Sequence, residues 1–502
     1  MAKARSGHAA PKAANVPKLP SARKPFSWAK PGLLRTGTAI GLGAAAYALL
    51  PMVDLEPLIG ASLPARAILA ACVVGLLRTP TRPRWAVSAT AVAAVLAGWV
   101  VLGLLDGRYF SPAGLAIGML LAAILSLGIA SLASAFRPRA AEVTCVALVL
   151  LVALWFAGFL PGPLQQQLSP VRQSKLSSVP QTGQYAFDGD DFMRTYSLMK
   201  QGVGYFPAFR QSVTEDTRHN ASYMQTPFNY REPLIFEIWR LLPGSTGNDL
   251  LTWFVVWSLG TMIAAYVLAS ALTEPGVALL APVALIRFFL FFWWQGAWFT
   301  VTEVWAAAFG VAAIAALVRK QRIASLLLLV AAVAAREFFV VLIPAWIVVW
   351  WLSGENDRRA SWWFPVAAVA GPLAVLASHV VFSQPYLTPG AGVGLSAWLH
   401  GGPARLIAAL RFGWSPQLSA TGLPEATWLP LAIAAGAIVS AAIARPKWRA
   451  AALLCATLLP TLFLLSVSGG ESHYYWGAFY TPLAVAIAPG VLARFMPPWT
   501  TS

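Results

Sequence analysis

The amino-acid sequence predicts an all-α, polytopic membrane protein with about 14 transmembrane helices and a large extracytoplasmic loop that carries short helices. Two observations support this fold class. Hydrophobic residues make up 58% of the 502 residues and charged residues only 11%, whereas soluble globular domains are about 25% charged. Apolar runs of about 20 residues, which can cross a bilayer core as a helix, also recur along the chain.

We predict that residues 1–33 form a disordered basic tail, because this segment combines lysine and arginine with Ala, Pro and Ser and contains no apolar run of its own. The whole chain has a formal net charge of +17. Lysine and arginine collect in the cytoplasmic loops of membrane proteins. We therefore attribute most of the charge to topology, place the tail in the cytoplasm and predict no nucleic-acid binding.

The apolar runs give the predicted order of the spans. The candidate spans are 34–53, 61–78, 85–105, 112–134, 143–161, 249–271, 277–293, 300–318, 323–335, 338–352, 362–383, 426–444, 450–468 and 475–493. Four N-terminal helices within residues 34–142 thus precede a core of residues 143–494. In this core, residues 162–248 and 384–425 form the two large extracytoplasmic loops.

Residues 323–351 could form one long helix or two short helices that meet at Arg336 and Glu337. With one helix, Arg358, Arg359 and the basic residues after the next spans would lie outside the cell. Two helices place all of them in the cytoplasm, as the positive-inside rule requires. We therefore predict two helices. The first is too short to reach the membrane surface, so we expect it to end in a cavity of the protein that Arg336 and Glu337 line.

This topology brings polar residues from distant parts of the chain to the extracytoplasmic side. Ionisable groups at membrane depth are costly unless they are paired or serve a function, so their convergence predicts a functional site. The residues concerned are Asp188, Asp190, Asp191, Arg231, Glu232, Arg240, Glu303, Arg336, Glu337, His473 and Tyr475.

Structural explanations exist for the individual residues. The stretch "DGDD" at 188–191 is favourable turn chemistry. Arg336 and Glu337 could be an ion pair that holds a helix turn. His473 could be an interfacial histidine among the aromatic residues that collect at membrane boundaries.

Taken together, these motifs have a recognisable arrangement. The first long outer loop contains Asp190-Asp191, then Tyr196, then "GVGY" at 202–205 and "REPL" at 231–234; Arg336-Glu337 and "HYYWGAFYTP" from His473 follow later. This arrangement resembles the class C glycosyltransferases, membrane enzymes of the GT-C fold, over about residues 143–494. Members of that class often have Asp-Glu where this chain has Asp190-Asp191, and a double proline or His-Pro-Pro where it has "REP".

The resemblance implies transfer of a hexose or pentose from a polyprenyl-phosphate donor to a glycan, lipid or protein acceptor, with inversion. It assigns the general base to Asp190 or Asp191. It assigns donor phosphate binding to Arg336, His473, Arg231 and Arg240, and substrate binding to Glu232, Glu337 and Tyr475. No cofactor or metal is predicted, although the acidic cluster has the chemistry to bind a divalent cation.

The Ala-rich, Lys-poor composition indicates a GC-rich bacterium, so we place the protein in the inner (plasma) membrane with its site facing outwards. The alternatives are a secondary transporter or lipid flippase, which would also gather charges within a bundle, and a polymerase or ligase of polyprenyl-linked glycans. Transporters usually consist of two repeated halves whose helices are interrupted by Gly or Pro at corresponding mid-membrane positions. We see no such repeat in this sequence. A polymerase or ligase would be expected to use outer-loop arginine and histidine more than an acidic pair.

Overall fold

The computed structural model describes residues 85–106, 189–215, 223–273, 275–294, 298–353, 362–390, 402–414, 448–467 and 475–495, with scattered positions between 39 and 127 and between 435 and 439. Its regular secondary structure in these ranges is helical, without a strand. The all-α class is therefore confirmed for the described residues.

The longer helices in these ranges are numbered here in chain order. They are α1 (Trp85–Asp106), α2 (Gly189–Lys200), α3 (Tyr205–Thr214), α4 (Leu234–Leu241), α5 (Gly247–Leu272), α6 (Leu280–Trp294), α7 (Thr302–Val318), α8 (Arg322–Ala335), α9 (Leu342–Ser353), α10 (Trp363–Ser383), α11 (Pro403–Trp414), α12 (Trp448–Val467) and α13 (Gly477–Phe495). Short 3-10 turns lie at Tyr223–Gln225, Pro227–Asn229, Trp298–Thr300, Glu337–Val341 and Gln384–Tyr386, and a four-residue helix, Pro275–Ala278, precedes α6.

The helices coincide closely with the predicted spans that fall in the described ranges. In this part of the chain, two helical segments are long and apolar enough to cross a membrane, Asp249–Leu272 in α5 and Trp363–Tyr386 from α10 into the following turn. The predicted spans 34–53, 61–78, 112–134, 143–161 and 426–444 lie mainly or wholly outside the described residues. The total of 14 spans therefore stays a prediction.

A capping box fixes the start of α5. Thr246 accepts a hydrogen bond from the backbone N–H of Asp249, and the Asp249 carboxylate accepts one from the backbone N–H of Thr246. Each residue satisfies a backbone group that the first turn would otherwise leave unpaired. The long outer segment therefore ends, and the helix begins, at a defined residue.

The predicted break at Arg336 is confirmed. Arg336 has an extended backbone (φ −159°, ψ 121°) that ends α8, and a 3-10 turn leads into α9. Trp346 of α9 donates its indole N–H to Ser325 Oγ near the start of α8, at 2.6 Å. Because ten residues after the break the chain has returned to the level of Ser325, α9 runs back in the direction opposite to α8, and it packs mainly against α12.

Helix α7 runs through the centre of the bundle. It is buried along almost its whole length and packs against α5, α8 and α13. Trp305 of α7 lies between Trp239 and Phe254, with ring centroids 5.6 and 5.3 Å away. The apolar α7 sequence is therefore explained by contact with other helices on several sides.

The two ends of this bundle differ in charge. At one end, Arg319 and Lys320 are exposed in the turn between α7 and α8, and Arg319 donates a hydrogen bond to Ser270 near the end of α5. At the other end lie Glu303 at the start of α7 and Arg336 after α8. We call the second end the acidic end.

Two segments between helices join at the acidic end. Tyr230 donates its hydroxyl to the Tyr386 carbonyl at 2.8 Å, and the Tyr386 ring stacks on Phe206 of α3. The Thr388 N–H donates to the Met224 carbonyl at 2.9 Å. These contacts fix the segment after α10 against the first long loop.

Residues of the N-terminal region form a second hydrophobic cluster. Ala91, Ala94 and Val95 of α1 are buried against Ala67 and Val74. Helix α1 matches the predicted span 85–105.

Candidate functional site

A fully buried arginine lies at the centre of the acidic end. Arg336 is 0% exposed. Its Nε donates to Glu303 Oε1 at 2.9 Å, and its Nη1 donates to both Glu337 carboxylate oxygens at 2.9 Å. Glu232 Oε2 lies 3.9 Å from the same Nη1. One guanidinium is therefore surrounded by three carboxyl groups, which we call the Arg336 cluster.

Local structure explains how these side chains meet. Glu303 lies in the first turn of α7, where the helix dipole favours a negative charge. Arg336 leaves α8 in an extended conformation, and Glu337 opens the following 3-10 turn. The break between α8 and α9 thus places a cation and an anion next to each other, against the start of α7.

A second buried arginine lies beside the cluster. Arg231 is 3% exposed, and its Nη2 donates to the Tyr475 hydroxyl at 3.5 Å. Its guanidinium carbon lies 5.8 Å from the centroid of the Phe192 ring, within the range of a cation–π contact. The Tyr205 hydroxyl donates to the Arg231 carbonyl, so the "GVGY" stretch anchors the backbone of "REPL".

The acidic pair of the first loop opens α2. Asp191 is 1% exposed and immediately precedes Phe192, the residue on which Arg231 packs. Thr195 donates its hydroxyl to the Asp191 carbonyl at 2.7 Å. Asp190 lies in the same first turn, and its side chain is outside the described residues. Asp191 is therefore a buried acid near the Arg231 side of the site.

Burial and the neighbouring Glu337 carboxylate raise the pKa of Glu232 well above its usual range. A carboxyl group in such surroundings holds its proton more tightly than a solvated one. The Glu232 and Glu337 side chains also share a hydrogen bond, so the two carboxyl groups act as a coupled pair beside Arg336.

The structure separates the site residues predicted from the sequence into groups. It brings Arg231, Glu232, Arg336, Glu337 and Tyr475 together, with Asp191 next to them. Their roles in binding and catalysis stay predictions.

Arg240 lies elsewhere, on the outside of α4. It pairs with Glu237 at 2.7 Å, and its side chain is 45% exposed. His473 lies outside the described residues, as does the side chain of Asp190.

Two buried residues join the site without an assigned role from the sequence. Glu303 was expected on the same side of the membrane, but only the structure shows that it contacts Arg336. His379 of α10 is 6% exposed, with Nε2 3.1 Å from the Pro227 carbonyl. A single histidine in an apolar run gave no sequence signal for this contact.

The three carboxyl groups of the Arg336 cluster already surround a cation, the guanidinium itself. Because the arginine and the carboxyl groups pair with one another, the cluster keeps charged groups stable in the protein interior, and it can form hydrogen bonds with a polar ligand. No protein-family model, curated protein or solved structure matches the chain.

Proposed function

We propose that the chain is a multi-pass membrane glycosyltransferase of the class C type, which transfers a sugar from a polyprenyl-phosphate donor to an extracytoplasmic glycan, lipid or protein acceptor. The observation that carries the proposal is the burial of Asp191, Arg231 and Arg336 at one end of the bundle. A buried acid and buried guanidinium groups supply the base and the cations that such a transfer needs.

Exposed apolar side chains support a membrane location. Val381 and Phe382 of α10 are 65% and 63% exposed, and Phe463 of α12 is 67% exposed. Large exposed apolar surfaces are unusual on soluble monomers and are favourable against lipid. The exposed Arg319 and Lys320 at the opposite end favour a cytoplasmic position for that end, and hence an extracytoplasmic acidic end in a bacterial inner membrane.

In the proposed reaction, the acceptor hydroxyl oxygen attacks the anomeric carbon of the donor sugar. Its proton passes to the carboxylate of Asp190 or Asp191. The bond between the anomeric carbon and the phosphate oxygen breaks, and its electron pair leaves with the polyprenyl phosphate. Attack opposite the leaving group inverts the anomeric centre.

The geometry favours different roles for the two buried arginines. Glu303 and Glu337 engage Arg336 on two sides, so a phosphate would have to compete with them for its N–H groups. Arg336 then orients these carboxyl groups. We assign the contact with the donor phosphate to Arg231, which lies next to the hydroxyl of Tyr475 and has a planar guanidinium that can form two parallel hydrogen bonds.

The remaining assignments follow the resemblance. Glu232 would bind the substrate through its carboxyl group, and His473 would contact the donor phosphate. Arg240, which pairs with Glu237 on the outside of α4, has no part in this arrangement.

The proposal is tested by transfer of radiolabelled sugar from polyprenyl-phosphate donors to acceptors in membranes that contain the protein. Replacing the base, Asp190→Asn or Asp191→Asn, should lower transfer about 10²- to 10⁴-fold while the amount of folded protein stays the same. The control is Glu215→Gln, which removes a half-exposed carboxylate paired with Arg194 on the loop surface and should leave transfer unchanged. Full transfer by both Asp variants would contradict the assignment of the base.

A transporter gives a different result in the same preparation. It would move a labelled lipid across the bilayer of sealed liposomes without forming a glycosylated product. Such movement without product, for every donor offered, would replace the glycosyltransferase proposal.

A further inference from the structure

His379 is a buried polar residue that the proposed reaction does not use. It lies near the C-terminal end of α10, at the acidic end of the bundle. Its ring packs 6.0 Å from Phe206 of α3, and its Nε2 lies 3.1 Å from the Pro227 carbonyl. The histidine therefore packs against the part of the first long loop that leads into Arg231 and Glu232.

The contact with Pro227 fixes the tautomer of the ring. A carbonyl oxygen only accepts hydrogen bonds, so Nε2 of His379 carries the hydrogen and donates it at 3.1 Å. A buried imidazolium is costly without a paired carboxylate, and the described residues place none within ion-pair distance of this ring. The neutral ring then has a lone pair at Nδ1.

The Nδ1 atom is buried and has no partner with hydrogen-bond geometry among the described residues, although the ring also interacts with the backbone of Tyr230. Buried polar atoms in folded proteins are nearly always hydrogen-bonded. The Nδ1 lone pair can accept a hydrogen bond from a donor such as a hydroxyl group. It cannot form one with an unprotonated phosphate oxygen, which is itself an acceptor. A sugar ring offers several hydroxyl donors.

We propose that His379 is a sugar-binding residue whose Nδ1 accepts a hydrogen bond from a hydroxyl group of the donor sugar. This inference rests on the proposed function, because it takes its ligand from that reaction. The competing role is structural: the bond from Nε2 to Pro227 would join α10 to the first loop, and Nδ1 would bind nothing.

Two substitutions separate these roles. His379→Gln keeps an N–H donor at the position of Nε2 but has no polar atom at that of Nδ1. His379→Asn does the reverse, since its amide reaches only the Nδ1 position. Ser378→Ala, at the neighbouring exposed position where the hydroxyl bonds only its own helix, is the matched control.

The measurement is binding of polyprenyl phosphate carrying a hexose or a pentose, and of sugar-free polyprenyl phosphate, to the purified full-length chain in detergent. His379→Gln should weaken binding of the sugar-bearing lipid about 2- to 10-fold, as for one lost hydrogen bond, and leave both sugar-free binding and the apparent melting temperature unchanged. His379→Asn should lower the melting temperature but retain more of the sugar-dependent binding. Unchanged binding in His379→Gln, or equal weakening for lipids with and without sugar, would overturn the inference.

Transfer assays on the same variants keep this inference distinct from the proposed function. If the wild-type protein transfers sugar and His379→Gln matches it in KM and kcat, the inference fails and the function stands. If the wild type binds the sugar-bearing lipid with this dependence on His379 but forms no product, the function fails and the binding site stands. A wild type that binds no sugar-bearing lipid overturns both.

Discussion

The pair of Glu303 with Arg336 should contribute strongly to the stability of the acidic end. Glu303→Gln removes the carboxylate charge and nearly conserves the shape of the side chain. Removing one partner of a buried ion pair costs about 3–5 kcal/mol, because the other charge stays buried. Glu337 still binds Nη1 of Arg336, so we expect a loss of about 3 kcal/mol, the lower end of that range.

An exposed ion pair of the same chemistry provides the comparison. Glu237 and Arg240 lie 2.7 Å apart on α4, with side chains 35% and 45% exposed. Such pairs contribute only about 0–1 kcal/mol, because water screens both charges. Glu237→Gln should therefore change the free energy of unfolding by less than about 1 kcal/mol.

The assay is equilibrium denaturation of the purified protein in mild detergent, with the two variants measured beside the wild type. We expect a clearly larger loss of unfolding free energy for Glu303→Gln than for Glu237→Gln. Equal, small losses in both variants would show that Arg336 does not depend on Glu303, and would refute the description of the Arg336 cluster as a buried, mutually neutralising group.

Two further predictions concern pH and packing. Burial, together with the negative charge of Asp249, raises the pKa of Tyr196 from 10.0 to about 12. The free energy of unfolding should therefore fall as the pH rises from about 10 to about 12. In alkaline denaturation experiments, Tyr196→Phe should show a smaller fall over this pH range, because it lacks the titrating hydroxyl. At Gly310 of α7, a Cβ atom would lie 2.7 Å from the Phe339 ring, so Gly310→Ala should destabilise the protein by about 1–3 kcal/mol. At Gly260 of α5, an added Cβ atom meets no neighbour within 4 Å, so Gly260→Ala should leave the free energy of unfolding unchanged or raise it in the same denaturation assay. Equal losses of unfolding free energy in both glycine variants would contradict the packing at Phe339.

Helix positions could be predicted from the sequence because local patterns encode them. The apolar run 249–271 became α5, and the run 362–383 became α10. The break at Arg336 followed from a charge argument, since only two helices kept the later basic residues on one side. Apolar length and charge placement act along the chain, so neither needs knowledge of distant contacts.

The contacts within the site could not be predicted in this way. The carboxyl groups around Arg336 come from positions 232, 303 and 337, and His379 meets Pro227 across 152 residues of sequence. Arg240 and Arg336 have the same chemistry in the sequence, but one is 45% exposed and the other 0%. Only helix packing decides which arginine is buried.

The activity that we propose for the acidic end is transfer of a sugar from a polyprenyl-phosphate donor, with an aspartate of α2 as the base. The most direct measurement follows radiolabelled sugar from this donor into product in a single turnover, with wild type, Asp190→Asn and Asp191→Asn at equal amounts of folded protein. With the wild type, we expect product and released polyprenyl phosphate in equal amounts. In one Asp variant, we expect the rate of product formation to fall by at least about 10²-fold. Product formation at the wild-type rate in both variants would contradict this proposal.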